Sequence, residues 1–174
     1  YTLNSDWTVG NTTYKIGSLI SVEREKLYQG KLNVQLVYLP DSKSSVNGIL
    51  VTKDKVVLTV LQNVQNVLLA CNFDSNKWTV SDLKTPEFGR ISIVDGDDKH
   101  LGYFYEYSNY ITPPTLYYVE GNETKVIQEQ HSLFDSKNLE VHQYEVISKD
   151  GTVVPYFIVH RKDLKFDGNN PTLV

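Results

Sequence analysis

The sequence contains four histidines, which could act as general bases or metal ligands near neutral pH. They are His100, His131, His142 and His160. A hydrolytic serine needs such a histidine within hydrogen-bond reach and a strained turn that presents the hydroxyl, and no nucleophile on such a turn adjoins His142 or His160. The four histidines also lack a two-histidine spacing with a carboxylate that indicates zinc. We therefore predict no catalytic residue, no metal site and no bound cofactor, and expect surface or packing histidines.

Two other stretches carry reactive side chains. The acidic stretch Asp95-Gly96-Asp97-Asp98 lacks the spaced ligands and the closing glutamate of a calcium loop, so we expect a solvated hairpin loop. Cys71 is the only cysteine and lies in the apolar run Val67 to Cys71, with no histidine or basic residue beside it. This setting favours a buried structural thiol over a reactive one. A lone cysteine excludes an intrachain disulfide and favours a reducing compartment, so we expect a cytoplasmic location.

Composition and charge limit the classes of protein to which this chain can belong. The 174 residues are 40% hydrophobic and 11% aromatic, with a net charge of −4 and no basic run. These values are typical of a folded globular chain and predict no nucleic-acid partner. The apolar runs reach about seven residues, and roughly 20 are needed to span a bilayer, so we predict no membrane association.

The chain consists of short alternating or apolar runs bounded by turn residues, a pattern that predicts an all-β fold. Arg24 to Tyr28 is the only candidate helix, and it separates the runs Gly17 to Val22 and Leu32 to Leu39. Two sets of four runs follow. The first set is Val46 to Thr52, Val56 to Gln62, Val67 to Phe73 and Trp78 to Leu83; the second is Ile91 to Val94, Leu101 to Tyr107, Thr115 to Glu120 and Lys125 to Gln128.

The two sets correspond to each other at an offset of about 46 to 48 residues. Four-stranded units that recur every 40 to 50 residues or so are typical of β-propeller blades. We therefore predict two blades, with Gly17 to Val22 and Leu32 to Leu39 as the outer strands of a third, preceding blade. The aromatic cluster Tyr103, Phe104, Tyr105, Tyr107 and Tyr110 has the spacing of strand faces that pack between blades, which we favour over a ligand-stacking surface.

The pattern changes after Gln128. Residues 129 to 138 are polar and do not alternate, and then Leu139 to Ile147 alternates, with Val141 and Gln143 on one face and His142 and Tyr144 on the other. The turn Ser148-Lys149-Asp150-Gly151 predicts a hairpin with the run Val153 to His160. Pro155 in that run predicts an edge strand or a bulge. We place a domain boundary near residue 137, with blades in 1–137 and a separate domain beginning in 138–174.

Both ends of the chain resemble the interior of a longer sequence. Residue 1 is Tyr, no Met occurs, and Pro171 to Val174 has the pattern of the start of a further strand. We expect the chain to be an internal segment of a longer protein.

The segment "SKDGTVVPYFIVHRKDLKFDGNNPTLV" closely resembles the entry of prolyl oligopeptidases into their α/β-hydrolase domain. The segments "PEFGRISIV", "YSNYITPPTLY" and "LFDSKNLEVHQYEVISKDGT" resemble the last propeller blades of the same family, and "DWTVGNTTYKIGSLI" resembles an earlier blade. The resemblance implies a partial β-propeller of two to three four-stranded antiparallel blades, followed by a hairpin that begins an α/β-hydrolase domain. It covers nearly the whole chain and is strongest from Tyr105 onward.

The resemblance also implies a function for the parent protein. Members of the family are serine peptidases that cleave short peptides after proline, with the propeller restricting access by size. Their nucleophile stands in a Gly-X-Ser-X-Gly elbow, which this sequence does not contain. The alternative from another class is a non-catalytic propeller that acts as a peptide- or protein-binding platform, since a fold does not fix a function.

The partners that follow are the short peptide substrates of the parent, and the remaining blades and hydrolase domain of the same protein. Taken alone, the 174-residue chain is expected to be inactive and to self-associate, because unpaired blade faces and strand edges would be exposed.

Overall fold

The computed structural model describes residues 1–174 and consists almost entirely of β-strands. In chain order the elements are β1 (Trp7–Val9), β2 (Thr12–Tyr14), β3 (Leu19–Val22), α1 (Arg24–Tyr28), β4 (Val34–Tyr38), β5 (Ser44–Val51), β6 (Val56–Gln62), β7 (Gln65–Asp74), β8 (Lys77–Leu83), β9 (Arg90–Gly96), β10 (Tyr103–Ser108), β11 (Thr115–Glu120), β12 (Glu123–Glu129), β13 (Leu139–Ile147) and β14 (Val153–Arg161). All strand pairs are antiparallel. No helix has the length and apolar character needed to cross a membrane. The all-β prediction is confirmed.

Two four-stranded sheets form the centre of the structure. Strands β5 to β8 make the first sheet and β9 to β12 the second, and in both each strand pairs with its sequence neighbour. Tight turns join the strands of the first sheet: Asn63 and Val64 have φ of 48° and 62°, and Ser75 and Asn76 have φ of 48° and 61°. Two successive positive φ values are the geometry of a hairpin turn whose twist matches that of its strands. The predicted pair of four-stranded blades is confirmed.

The residues before β5 pack against the first blade as a partial sheet. Strands β3 and β4 pair with each other, and Leu19 and Val37 share a buried cluster with Leu58, Val60, Leu69 and Cys71. The indole Nε1 of Trp78 donates a hydrogen bond of 2.8 Å to Ser21 Oγ. These strands therefore lie where a preceding blade is expected. The small hairpin β1–β2 was not predicted from the sequence.

A second buried cluster joins the two blades. Tyr103, Tyr105 and Tyr107 of β10 are only 1%, 1% and 2% exposed, and they pack with Val57, Leu68, Ile91 and Val119. Successive side chains of a strand point to opposite faces, so Phe104 lies on the other face, where its ring is 4.9 Å from that of Tyr118. The interpretation of these aromatic residues as inter-blade packing is confirmed for the three buried tyrosines. Tyr110 lies outside this cluster and is 57% exposed.

Strands β13 and β14 form a separate two-stranded sheet. Their register is unbroken from Leu139 opposite Arg161 to Ile147 opposite Val153, and Gly151 has a φ of 84° in the connecting turn. The predicted hairpin and its Asp-Gly turn are confirmed. Pro155 lies in β14 without a register shift, and in a two-stranded sheet each strand has a free edge that tolerates a missing N–H. The domain boundary near residue 137 stays a prediction.

Candidate functional site

The sequence-derived candidates fall at separate places in the fold. The acidic stretch begins in the last two residues of β9, Asp95 and Gly96, and continues into the exposed loop before β10. In this loop Asp97 Oδ1 accepts hydrogen bonds from the backbone N–H of Lys99 at 2.9 Å and of His100 at 3.0 Å. The His100 ring also lies 2.8 Å from this oxygen. The bond from the Lys99 backbone, followed by that from the His100 ring, lowers the pKa of Asp97. Hydrogen bonds from within the loop therefore satisfy the Asp97 carboxylate, as expected for a solvated turn. His131 is exposed and follows β12.

His142 and His160 come together on one face of the β13–β14 hairpin, beside Glu140. Glu140 pairs directly with His160 across the strands, and His142 lies two residues further along β13. The distance from His142 Nε2 to a Glu140 carboxylate oxygen is 3.5 Å, and from His160 Nδ1 to the other oxygen it is 3.6 Å. The two imidazole rings are stacked, with centroids 5.3 Å apart and planes inclined by 15°. We name Glu140, His142 and His160 the hairpin triad.

The side chains of the hairpin triad differ in exposure. His160 is only 8% exposed at its side chain, whereas His142 is 44% and Glu140 36% exposed. The ring of Phe166 meets that of His160 edge-on at 5.1 Å, and Tyr144 lies 6.1 Å from His142. One nitrogen or oxygen atom from each of the three residues lies within 4.8 Å of the others. This is a set of side chains that could hold a metal ion.

Linear spacing gave no indication of the hairpin triad, since the two histidines are 18 positions apart in the sequence. Counting outward from the observed pair of Ile147 and Val153 places Glu140 opposite His160. Counting from the predicted four-residue turn Ser148 to Gly151 would instead place Val159 opposite Glu140, so the exact register came from the structure. The sequence prediction of no metal site considered spacing along the chain and did not extend the hairpin register to its open end.

Cys71 lies in β7 and is fully buried in the cluster between β3–β4 and the first blade. Burial raises the pKa of its thiol to about 11. A thiol that remains protonated is a poor nucleophile and a poor metal ligand. The prediction of a buried structural cysteine is confirmed.

The opposite face of the hairpin contacts the two blades. Gln143 Nε2 donates a hydrogen bond of 3.1 Å to the carbonyl oxygen of Asn63, and the side-chain amides of Gln143 and Gln65 also contact each other. Phe157 packs against Tyr110 with ring centroids 5.6 Å apart. Val64 lies in this junction with a positive φ of 62°, an uncommon conformation for a β-branched residue. The hairpin is therefore docked on the β6–β7 turn of the first blade and the loop after β10.

The histidine contacts define what chemistry the described residues can perform. The ring hydrogen bonds go to Asp97 and to the carbonyl oxygen of Arg161, and none goes to a serine hydroxyl. A base without a nucleophile in reach cannot start acyl transfer. The prediction that the chain contains no catalytic residue stays a prediction, and the arrangement of the hairpin triad is suited to binding a cation.

Comparisons with known proteins agree with this architecture. The family described as prolyl oligopeptidase, N-terminal beta-propeller domain, matches residues 5–131. The chain belongs to the prolyl oligopeptidase family, and its blades are part of the N-terminal β-propeller of that family. The resemblance inferred from the sequence is confirmed.

Individual relatives share this assignment. An uncharacterized peptidase of Sinorhizobium fredii is 32% identical over 179 residues, which cover 100% of this chain and 25% of the relative. A prolyl endopeptidase of Elizabethkingia meningoseptica is 36% identical over 104 residues, covering 59% of this chain and 15% of that protein. The structure of a post-proline cleaving enzyme from Rickettsia typhi superposes with a TM-score of 0.73 at 31% identity, covering 98% of this chain and 25% of that chain. The chain thus spans about a quarter of the length of the first two of the curated relatives it matches.

Proposed function

We propose that this chain is the propeller-side portion of a cytoplasmic serine endopeptidase that hydrolyses short peptides after proline, and that its blades restrict access to the catalytic domain. The observation that carries the proposal is the match over 98% of this chain, at 31% identity, to an enzyme described as post-proline cleaving. The described blades supply rigid walls held by the buried tyrosines of β10. Such walls can exclude large substrates without taking part in chemistry.

The serine type and the location rest on further arguments. The family resemblance implies a serine nucleophile from outside these residues, since no Gly-X-Ser-X-Gly elbow occurs in the sequence. The single cysteine is buried and free, so the fold does not rely on an intrachain disulfide, and this favours a location in the cytoplasm. The residues 138–174 are proposed to begin the hydrolase domain, with the hairpin docked against the blades through Gln143 and Phe157.

The test uses the whole protein in which these 174 residues lie. We expect it to cleave a short chromogenic peptide after proline and to lose this activity on treatment with a serine-directed organophosphonate. The matched control peptide has alanine in place of proline and should be cleaved at least about tenfold more slowly, which corresponds to about 1.4 kcal/mol in transition-state binding. A whole protein that binds proline peptides without cleaving them would instead support a non-catalytic binding platform.

The isolated 174-residue chain is proposed to be inactive and to associate with itself. A compact monomer of its mass exposes about 8,700 Å², whereas this chain of 19.9 kDa exposes 12283 Å². The outer strand β12 is exposed along all seven residues, with Val126 and Ile127 57% and 52% exposed. Strand edges of this kind pair with other chains, and contiguous apolar surface favours burial.

Light scattering after gel filtration measures this association. We expect a mass above 19.9 kDa that increases with protein concentration, together with no cleavage of the proline peptide. A mass that stays at the monomer value over the whole concentration range would contradict the association, and cleavage by the purified chain would contradict its inactivity.

A further inference from the structure

We propose that the hairpin triad, Glu140, His142 and His160, is a binding site for a divalent transition-metal ion, with Zn²⁺ as the ion that best fits its ligands. The proposal concerns the β13–β14 hairpin and its contact with Phe166, and it does not depend on peptidase activity. The site would join β13 to β14 at the open end of the hairpin, on the face opposite the blade contacts.

The sheet register is what assembles the three side chains. Glu140 and His160 are directly cross-strand partners, and His142 lies on the same face because side chains of a strand alternate with a period of two. Direct partners have Cβ atoms about 5 Å apart, and diagonal neighbours about 7 Å. Both separations are short enough for a carboxylate and two imidazoles to converge on one ion.

The measured separations match a coordination sphere. Zinc bonds of about 2.1 Å in tetrahedral geometry place neighbouring ligand atoms about 3.4 Å apart. The distance from a Glu140 carboxylate oxygen to His142 Nε2 is 3.5 Å, and one possible ligand atom from each of the three residues lies within 4.8 Å of the others. Rotation of exposed side chains by small amounts would close the set, because His142 and Glu140 are both partly exposed.

The ligand types select the ion. Two imidazoles with one carboxylate and a free fourth position form a known kind of zinc site, whereas Ca²⁺ and Mg²⁺ prefer sets of oxygen ligands. The His160 ring contacts the ring of Phe166 edge-on, and its Nδ1 lies 2.8 Å from the carbonyl oxygen of Arg161. A carbonyl can only accept, so Nδ1 carries the proton in this contact and Nε2 keeps its lone pair. Such a backbone contact is the usual outer-shell support of a metal-binding histidine.

The alternative explanation is that the two stacked imidazoles and the carboxylate pack together on the hairpin without binding a metal. That explanation predicts a loss of stability when any of the three is removed, but it predicts no saturable binding of a metal. Direct titration therefore separates the two.

The experiment titrates the purified 174-residue chain with Zn²⁺ by calorimetry, and with Co²⁺ by visible absorption. We expect one saturable Zn²⁺ site per chain. Bound Co²⁺ should give visible absorption bands, and their intensity should indicate a low coordination number for the bound ion. Zn²⁺ should also raise the midpoint of thermal unfolding, because an ion that binds only the folded state stabilises it. His142→Ala and His160→Ala should each weaken binding by at least about tenfold.

Control variants test whether Zn²⁺ binding depends specifically on the hairpin triad. His100→Ala and His131→Ala remove exposed histidines outside the hairpin and should leave the Zn²⁺ affinity unchanged. Glu140→Gln preserves the size of the side chain while removing its charge, so it should weaken Zn²⁺ binding without loss of the far-ultraviolet circular dichroism of the folded chain. The proposal is overturned if wild-type chain shows no saturable Zn²⁺ binding, or if His100→Ala or His131→Ala weakens binding as much as His142→Ala does.

Discussion

Replacing Tyr105 by alanine is expected to lower the free energy of unfolding by about 3–5 kcal/mol, the range for loss of a large aromatic side chain from a core. Tyr105 is 1% exposed at the centre of β10, and its ring stacks on that of Tyr117 at 4.9 Å with an interplanar angle of 6°. The same residue contributes to the cluster that contains Val57 and Leu68 of the first blade. Alanine would therefore open a cavity both within the second blade and between the blades.

Two control variants separate packing from other effects. The hydroxyl of Tyr105 takes part in no side-chain hydrogen bond, unlike that of Tyr107, which donates to the Glu87 carbonyl oxygen at 2.6 Å. Burial also raises the pKa of Tyr105 far above its usual value, so the neutral phenol is the relevant form. Tyr105→Phe should consequently cost less than about 1 kcal/mol. Tyr28→Ala, at a side chain 82% exposed, should change stability by less than about 0.5 kcal/mol.

Equilibrium urea denaturation measures these differences, and all variants are compared at one protein concentration because association contributes to apparent stability. An equal loss for Tyr105→Ala and Tyr28→Ala would show that β10 does not form the core between the blades.

Replacing Gly89 by alanine is expected to destabilise the chain by about 3 kcal/mol, at the upper end of the usual cost of overpacking. A Cβ at this position would lie 2.6 Å from the carbonyl oxygen of Ser108 and 2.7 Å from Cζ of Tyr107. The carbonyl belongs to the paired strand β10, opposite Arg90 at the start of β9, and cannot move without disturbing that pairing. The Tyr107 ring is also held, by the bond from its hydroxyl to Glu87.

Gly121→Ala is the matched control for this substitution. Gly121 has a positive φ of 60°, but a Cβ there would meet nothing within 4 Å, so only the left-handed backbone conformation is penalised, by about 1 kcal/mol. Thermal and urea unfolding of both variants measure the difference. If the two glycine substitutions cost the same, the close approach of Gly89 to β10 is not a constraint on the fold.

The blades were predictable from the sequence because their signal is local. Apolar alternation within each strand, together with turn residues such as Asp74-Ser75-Asn76-Lys77, indicates where strands begin and end, and strands joined by short turns pair with their neighbours. The two four-stranded sheets follow from this rule. The strands of β1–β2 are only three residues each, too short for alternation to be evident.

The contacts between units were less predictable because they join residues far apart in the chain. Gln143 reaches Asn63 across 80 positions, and Tyr110, grouped with the inter-blade tyrosines on spacing, instead meets Phe157 of the hairpin. No local pattern encodes such pairs, since they depend on how one sheet is placed against another.

The amino-acid sequence alone was sufficient to predict the all-β class, the blade repeat, the hairpin with its Asp-Gly turn and, through its motifs, the family. The folded structure was needed to identify which tyrosines are buried and which hairpin face meets the blades. It also showed that His142, His160 and Glu140 converge. The physical reason is that strand formation responds to neighbours along the chain, whereas burial and ligand convergence depend on distances set by pairing and packing. A separation of 18 residues between two histidines becomes a few ångströms only when the hairpin closes in register.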